Sequence, residues 1–135
     1  MHRDFLSEAP HGVRRTVSAF RATGRPVVHV VRLYEEGGGN ADLVRRGLLE
    51  SGLRIATPGT PGSEPADGIV PEAAPALDPV LLLSGRPQRL GPYDYAVFKP
   101  RWGAFYRTCR ELDVDTLVFA GCDLPNCPRA SIVQA

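Results

Sequence analysis

Apolar positions recur at Val13, Val17 and Phe20, the i, i+4 and i+7 spacing of one helix face, and the arginines around them fall elsewhere. This predicts a helix over residues 8–23, with Ser7 as its N-cap and Gly24 as the C′ residue that ends it. The pattern then becomes nearly continuous. "RPVVHVVRL" is rich in β-branched residues and nearly continuous in apolar character, as a buried parallel strand is, and His29 within it reads as a neutral, hydrogen-bonded core histidine. "EEGGGN" is a turn whose glycines lack the Lys-Ser/Thr ending of a phosphate-binding loop. Asn40 is placed to cap a short helix over 41–50, with Asp42 in its first turn and Gly52 closing it.

Residues 57–92 are loop-rich, with a short helical piece expected around 79–84. "YDYAVFKP" predicts a second strand that ends at Lys99. "RWGAFYRTCREL" predicts a helix, because Trp102, Phe105, Tyr106 and Cys109 take i, i+3, i+4 and i+7. "DTLVFAG" is the third expected strand, the shortest and most apolar. After Cys127, "PRASIVQA" opens a last helix with Pro128 in its first turn.

Helical and strand patterns therefore alternate, which calls for an α/β fold with a mainly parallel sheet and helices on both faces. Ligands of such sheets bind outside the carboxyl ends of the strands. Lys99 stands at one such end, and Cys127 lies six residues past Gly121, at another.

Composition narrows the function. The chain has 135 residues, room for one domain with a real core. Its net charge of +1 comes without a basic stripe or interleaved aromatics, which argues against nucleic acid. No apolar run approaches the roughly 20 residues of a membrane span, and the start lacks a signal-peptide core. Three cysteines at irregular spacing do not make a disulfide scaffold, so a reducing, cytoplasmic setting is expected. The Pro and Gly residues, 13 and 14 in number, are concentrated between residues 57 and 92.

A thiol attacks only as its thiolate. Cys127 sits where a helix N-terminus, with its unpaired N–H groups and macrodipole, favours negative charge, and a nearby lysine would favour it further. The same N–H groups suit an oxyanion. The competing reading of a free cysteine is a small buried hydrophobe, and it is the one that fits Cys109 and Cys122. Cys122-x4-Cys127 is too wide for a CxxC redox pair, and no second ligand pair makes a zinc site. Lys99 taken alone also reads as a solvated charge at a strand end.

"YAVFKPRWGAF" followed by "DTLVFAGCDLPNCPRASI" resembles the isochorismatase-like cysteine hydrolases, and "MHRDFL" resembles that family's first motif, Asp-Met-Gln-x-Asp-Phe, entered one residue late. "RPVVHVVRLY" with the Asn-x-Asp-Leu turn resembles a branch without assigned substrates. The likeness runs over nearly the whole chain. It implies a three-layer, parallel-sheet, Rossmann-like domain and a cytoplasmic hydrolase that cleaves a C–N, amide-like bond of a small molecule. Cys127 matches the nucleophile and Lys99 the lysine of the family's Asp-Lys-Cys triad. The turn around Asp123 and Leu124, with the N–H of Cys127, matches the oxyanion hole, and the Asp123–Leu124 bond matches a cis peptide found in many members. Trp102 and Tyr106 either line the substrate pocket or pack in the core. No cofactor is implied. Some members hold a metal through histidines, but residues 33–42 contain none, so no metal is expected. Relatives commonly self-associate, which makes a homo-oligomer a further expectation.

Four departures accompany the likeness. The family's catalytic Asp belongs immediately before Met1, together with a central strand, and Asp4 matches only the second, non-catalytic acid of the motif. His2 replaces the motif's Gln. Residues 108–114 are about five residues shorter than the family's usual passage, a loss on the order of one helical turn. The chain ends before the last helix and strands are complete. These departures suggest a sequence truncated at both ends, and they set beside the hydrolase a rival reading: an inactive fragment or pseudoenzyme with at most a binding role.

Overall fold

The computed structural model describes residues 1–99, 110–121 and 127–134. Helix α1 spans His11–Ala22. It starts later than its pattern suggests because the backbone before it is engaged elsewhere. Ala9 N–H donates to Asp67 O (3.0 Å) and Asp67 N–H to Ser7 O (2.9 Å), a parallel bridge between Glu8 and Asp67. Pro10 then stands at the N-cap, disfavouring helical backbone at Ala9, and Ser7 is not the cap. The C-terminus follows expectation. Gly24 has φ 67°, and Gly24 N–H and Arg25 N–H donate to Arg21 O (3.0 Å) and Phe20 O (2.9 Å), a Schellman closure.

Strand β1 is Val27–Val31. Helix α2 is Leu43–Glu50, and its N-cap is Asp42, whose Oδ1 accepts Arg45 N–H at 3.2 Å. Asn40 is not the cap. Its side chain instead bridges the preceding loop, accepting Glu35 N–H (3.0 Å) and donating to Leu33 O (2.8 Å). Helix α3, Pro79–Leu83, carries Asp78 as its cap, with Leu81 N–H bound at 3.0 Å. Strands β2, Gln88–Arg89, and β3, Asp94–Phe98, complete the sheet, and helix α4 spans Cys127–Gln134.

The sheet order is β1-β3-β2. β1 and β3 are parallel, with Val27 opposite Asp94 and Val31 opposite Phe98. β2 runs antiparallel to β3. The observed architecture is thus a small mixed sheet with helices. β2 was hidden in the loop-rich stretch because two residues between Pro87 and Leu90 give no readable alternation. One core lies between the sheet and α3, around Val31, Leu33, Leu82, Leu90, Ala96 and Phe98. A second joins Val13 and Val17 of α1 to Ala9, Ala66 and Ile69. A third packs Leu49 of α2 on Tyr34, Ala41 and Ala56.

The expected strand in "DTLVFAG" does not form a ladder: residues 116–121 have no strand assignment, and Leu117 and Val118 are exposed. Among the described residues no strand lies beside this segment. A cavity of about 990 Å³ separates it from β1, with Val13, Val17 and Phe20 of α1 also lining the space. A strand without a neighbour gains no ladder bonds. The other wall of the cavity is equally open. Val27 N–H donates to Tyr93 O (2.8 Å) and Lys99 N–H to Val31 O (2.9 Å), so the odd-numbered residues of β1 turn their backbone toward β3. Val28 and Val30 turn theirs to the opposite edge, where no described strand pairs with them.

Candidate functional site

The carboxyl ends of β1 and β3 lie side by side, and Lys99 follows Phe98 directly. Its backbone is held on both sides. Its N–H binds Val31 O, and its carbonyl accepts Arg32 Nη1 at 2.6 Å. Arg32 is fixed in turn by Asp42 Oδ2 (3.3 Å) and lies over the Tyr34 ring, 5.1 Å from its centroid. Burial pushes the Tyr34 phenol up, against the opposing pull of Arg32.

The Lys99 side chain is buried, and its Nζ donates to Ser131 Oγ at 3.0 Å. Ser131, also buried, belongs to α4, the helix that Cys127 opens. Ser131 follows Cys127 by four positions, about one helical turn along α4. Two segments distant in sequence thus meet at the cavity, whose lining includes Lys99, Pro128 and Ser131.

His2 closes the same end. It is 4% exposed; its Nε2 accepts Arg32 N–H (2.9 Å) and its Nδ1 faces Ser63 O at 2.5 Å. A backbone N–H can only donate, so the proton of the ring sits on Nδ1 and the imidazole is neutral. Burial first, and the nearby amino terminus second, lower its pKa to about 4.

A separate polar cluster lies at the start of β3. Asp94, 1% exposed, accepts His29 Nε2 (2.8 Å) and both Arg21 Nε (2.9 Å) and Arg21 Nη2 (2.5 Å). Burial works against its ionisation, but the bonds from His29 and Arg21 outweigh it and hold the carboxyl below the usual carboxylate range. His29 is therefore a bonded core histidine, with a carboxylate as its partner.

Among the residues predicted for the site, Lys99 bonds Ser131 of the helix that Cys127 begins. Asp123, Leu124, Trp102 and Tyr106, with the cis peptide expected at Asp123–Leu124, lie outside the described residues. Asp4 serves the fold, since its Oδ2 accepts Ala56 N–H at 2.5 Å. Sequence reasoning missed Ser131, although its place four residues after Cys127 was readable from helix periodicity. It also missed Arg32 and His2, whose roles depend on contacts across about 30 and 60 positions. Among the described residues no group of three His, Cys, Asp or Glu side chains is arranged to hold a metal ion, and no helix is long and apolar enough to cross a membrane.

Comparisons of the chain with protein-family profiles, with curated proteins and with solved structures returned no match.

Proposed function

We propose that the chain is a cysteine hydrolase of the isochorismatase-like type, acting on a C–N, amide-like bond of a small molecule, with Cys127 as nucleophile and Lys99 as its electrostatic partner. The observation that carries this reading is the Lys99 ammonium bound to Ser131, one turn into the helix that Cys127 begins. A cation there, together with the helix N-terminus, favours a thiolate at residue 127. The thiolate adds to the carbonyl carbon, and the carbonyl electron pair moves to oxygen, where the first N–H groups of α4 receive it. The thiol's proton passes to solvent as the thiolate forms; collapse then breaks the C–N bond, and the leaving nitrogen takes a proton from water. Water then cleaves the thioester, releasing a carboxylic acid and restoring the thiol. The cavity beside Lys99 is the volume in which the substrate sits.

That no described strand pairs with the outer edge of β1 favours the rival reading, a catalytically inactive chain that only binds, because a less framed sheet holds the site less rigidly. One measurement separates them. Release of amine from a panel of small primary amides is followed for the wild-type chain and for Cys127→Ser and Lys99→Met. Turnover that Cys127→Ser abolishes and Lys99→Met lowers by roughly 10²-fold or more supports the hydrolase. Absence of turnover across the panel, with ligand-induced stabilisation intact, supports the chain that only binds.

A further inference from the structure

We infer that Ser131 is the positioning residue for Lys99, holding its ammonium beside the first turn of α4 through an uncharged acceptor. The inference rests on the hydrolase reading and deepens it. Lysine carries a long, freely rotating stem, and its head is a compact point charge with no preferred plane. In this chain the backbone of Lys99 is clamped by Val31 and Arg32, which fixes where the stem begins. Fixing where the stem ends requires an acceptor, and the Ser131 hydroxyl at 3.0 Å, itself 7% exposed, supplies one on α4.

The chemical type of that acceptor matters. A carboxylate at residue 131 would grip the ammonium more firmly but would cancel most of the positive field at residue 127. A hydroxyl holds the head without adding a counter-charge of its own. Ser131 follows Cys127 by four positions in α4, so the grip ties the ammonium to the same helix that Cys127 begins. Ser131 does not touch the reacting atoms; it acts through Lys99.

The test reads the pH dependence of iodoacetamide alkylation at Cys127, resolved from Cys109 and Cys122 by peptide mass spectrometry. In the wild type the midpoint is expected well below the ordinary thiol value of about 8.5. Ser131→Ala raises it by about one unit, Ser131→Thr restores it, and Lys99→Met raises it by a similar amount or more. Ser131→Ala adds nothing once Lys99→Met is present, an outcome that a merely structural role would not produce. Ser131→Asp, which keeps a grip on the ammonium, also raises the midpoint, and it serves as second variant should Ser131→Ala melt at a much lower temperature. A low wild-type midpoint that Lys99→Met raises and Ser131→Ala and Ser131→Asp leave alone overturns the role of Ser131 while sparing the hydrolase. A wild-type midpoint near 8.5 overturns the hydrolase and this inference with it.

Discussion

The imidazole of His2 accepts the backbone N–H of Arg32, 30 residues further along the chain, at 2.9 Å. The bond ties the start of the chain to the residue that holds the Lys99 carbonyl, so a side chain at the second position helps shape the carboxyl end of the parallel pair.

That bond makes stability depend on pH in a defined window. In the unfolded chain a histidine takes its proton near pH 6.5; in the fold His2 takes it only at about 4. Between these values the unfolded state binds more protons, so the contribution of His2 is full above about pH 6.5 and is lost as the pH falls to about 4. The loss is on the order of 3 kcal/mol. His2→Gln offers one acceptor and one donor without titrating. Urea denaturation at steps from pH 7 to 4 is expected to show a steeper decline for the wild type than for this variant, and parallel declines would remove His2 as the cause.

Asp94 is the anchor of a buried charged cluster, with Arg21 and His29 on its two sides. Removing one partner from such a cluster strands the others, which costs about 3–5 kcal/mol. Asp94→Asn is therefore expected to lower the urea midpoint severely, whereas Glu36→Gln, at the exposed pair with Arg54, changes stability by less than about 1 kcal/mol. Equal, small effects from both would contradict the arrangement. The lowered carboxyl of Asp94 sets the pH sign as well: its contribution is present above the unfolded value near 3.9 and disappears only as pH falls through the lower folded value.

Gly62 is required by Asp4. A methyl group at residue 62 would collide with the Asp4 carboxylate, while Asp4 N–H is held by Gly62 O at 3.1 Å and Asp4 Oδ2 by Ala56 N–H. Gly62→Ala is expected to cost about 1–3 kcal/mol through overpacking. In an Asp4→Ala background the same substitution costs clearly less, a coupling readable in a double-mutant cycle of thermal melts. Additive effects would show that the two residues do not meet.

What the chain disclosed in advance were features fixed by local chemistry. The apolar spacing of Val13 and Val17 marked α1, the β-branched run marked β1, and Gly24 and Gly52 marked helix ends because left-handed backbone closes them. The short helical piece expected over 79–84 forms as α3, with Asp78 as a cap that was not foreseen. The misreadings arose where a distant partner decided. Ser7 is a good cap by type, but its carbonyl serves Asp67. Asn40 is a good cap by type, but Asp42, next to the helix, caps the Arg45 N–H and leaves Asn40 to the loop. "DTLVFAG" has the composition of a buried strand, yet composition does not supply a neighbour to pair with. For the candidate site, the place of Lys99 at the end of a strand was legible, and its hydroxyl partner was not, since no local signal ties residue 99 to residue 131.

The side of β1 that no described strand covers carries one more meaning. Backbone donors and acceptors left along a sheet margin are adhesive, and natural proteins take care to blunt them with charge, proline or a covering loop. Here the margin is formed by Val28 and Val30 in a row of β-branched residues, and Lys99 hangs from the strand next door. A strand added along that margin would lie against Val28 and Val30, on the wall of the same cavity that Lys99 lines.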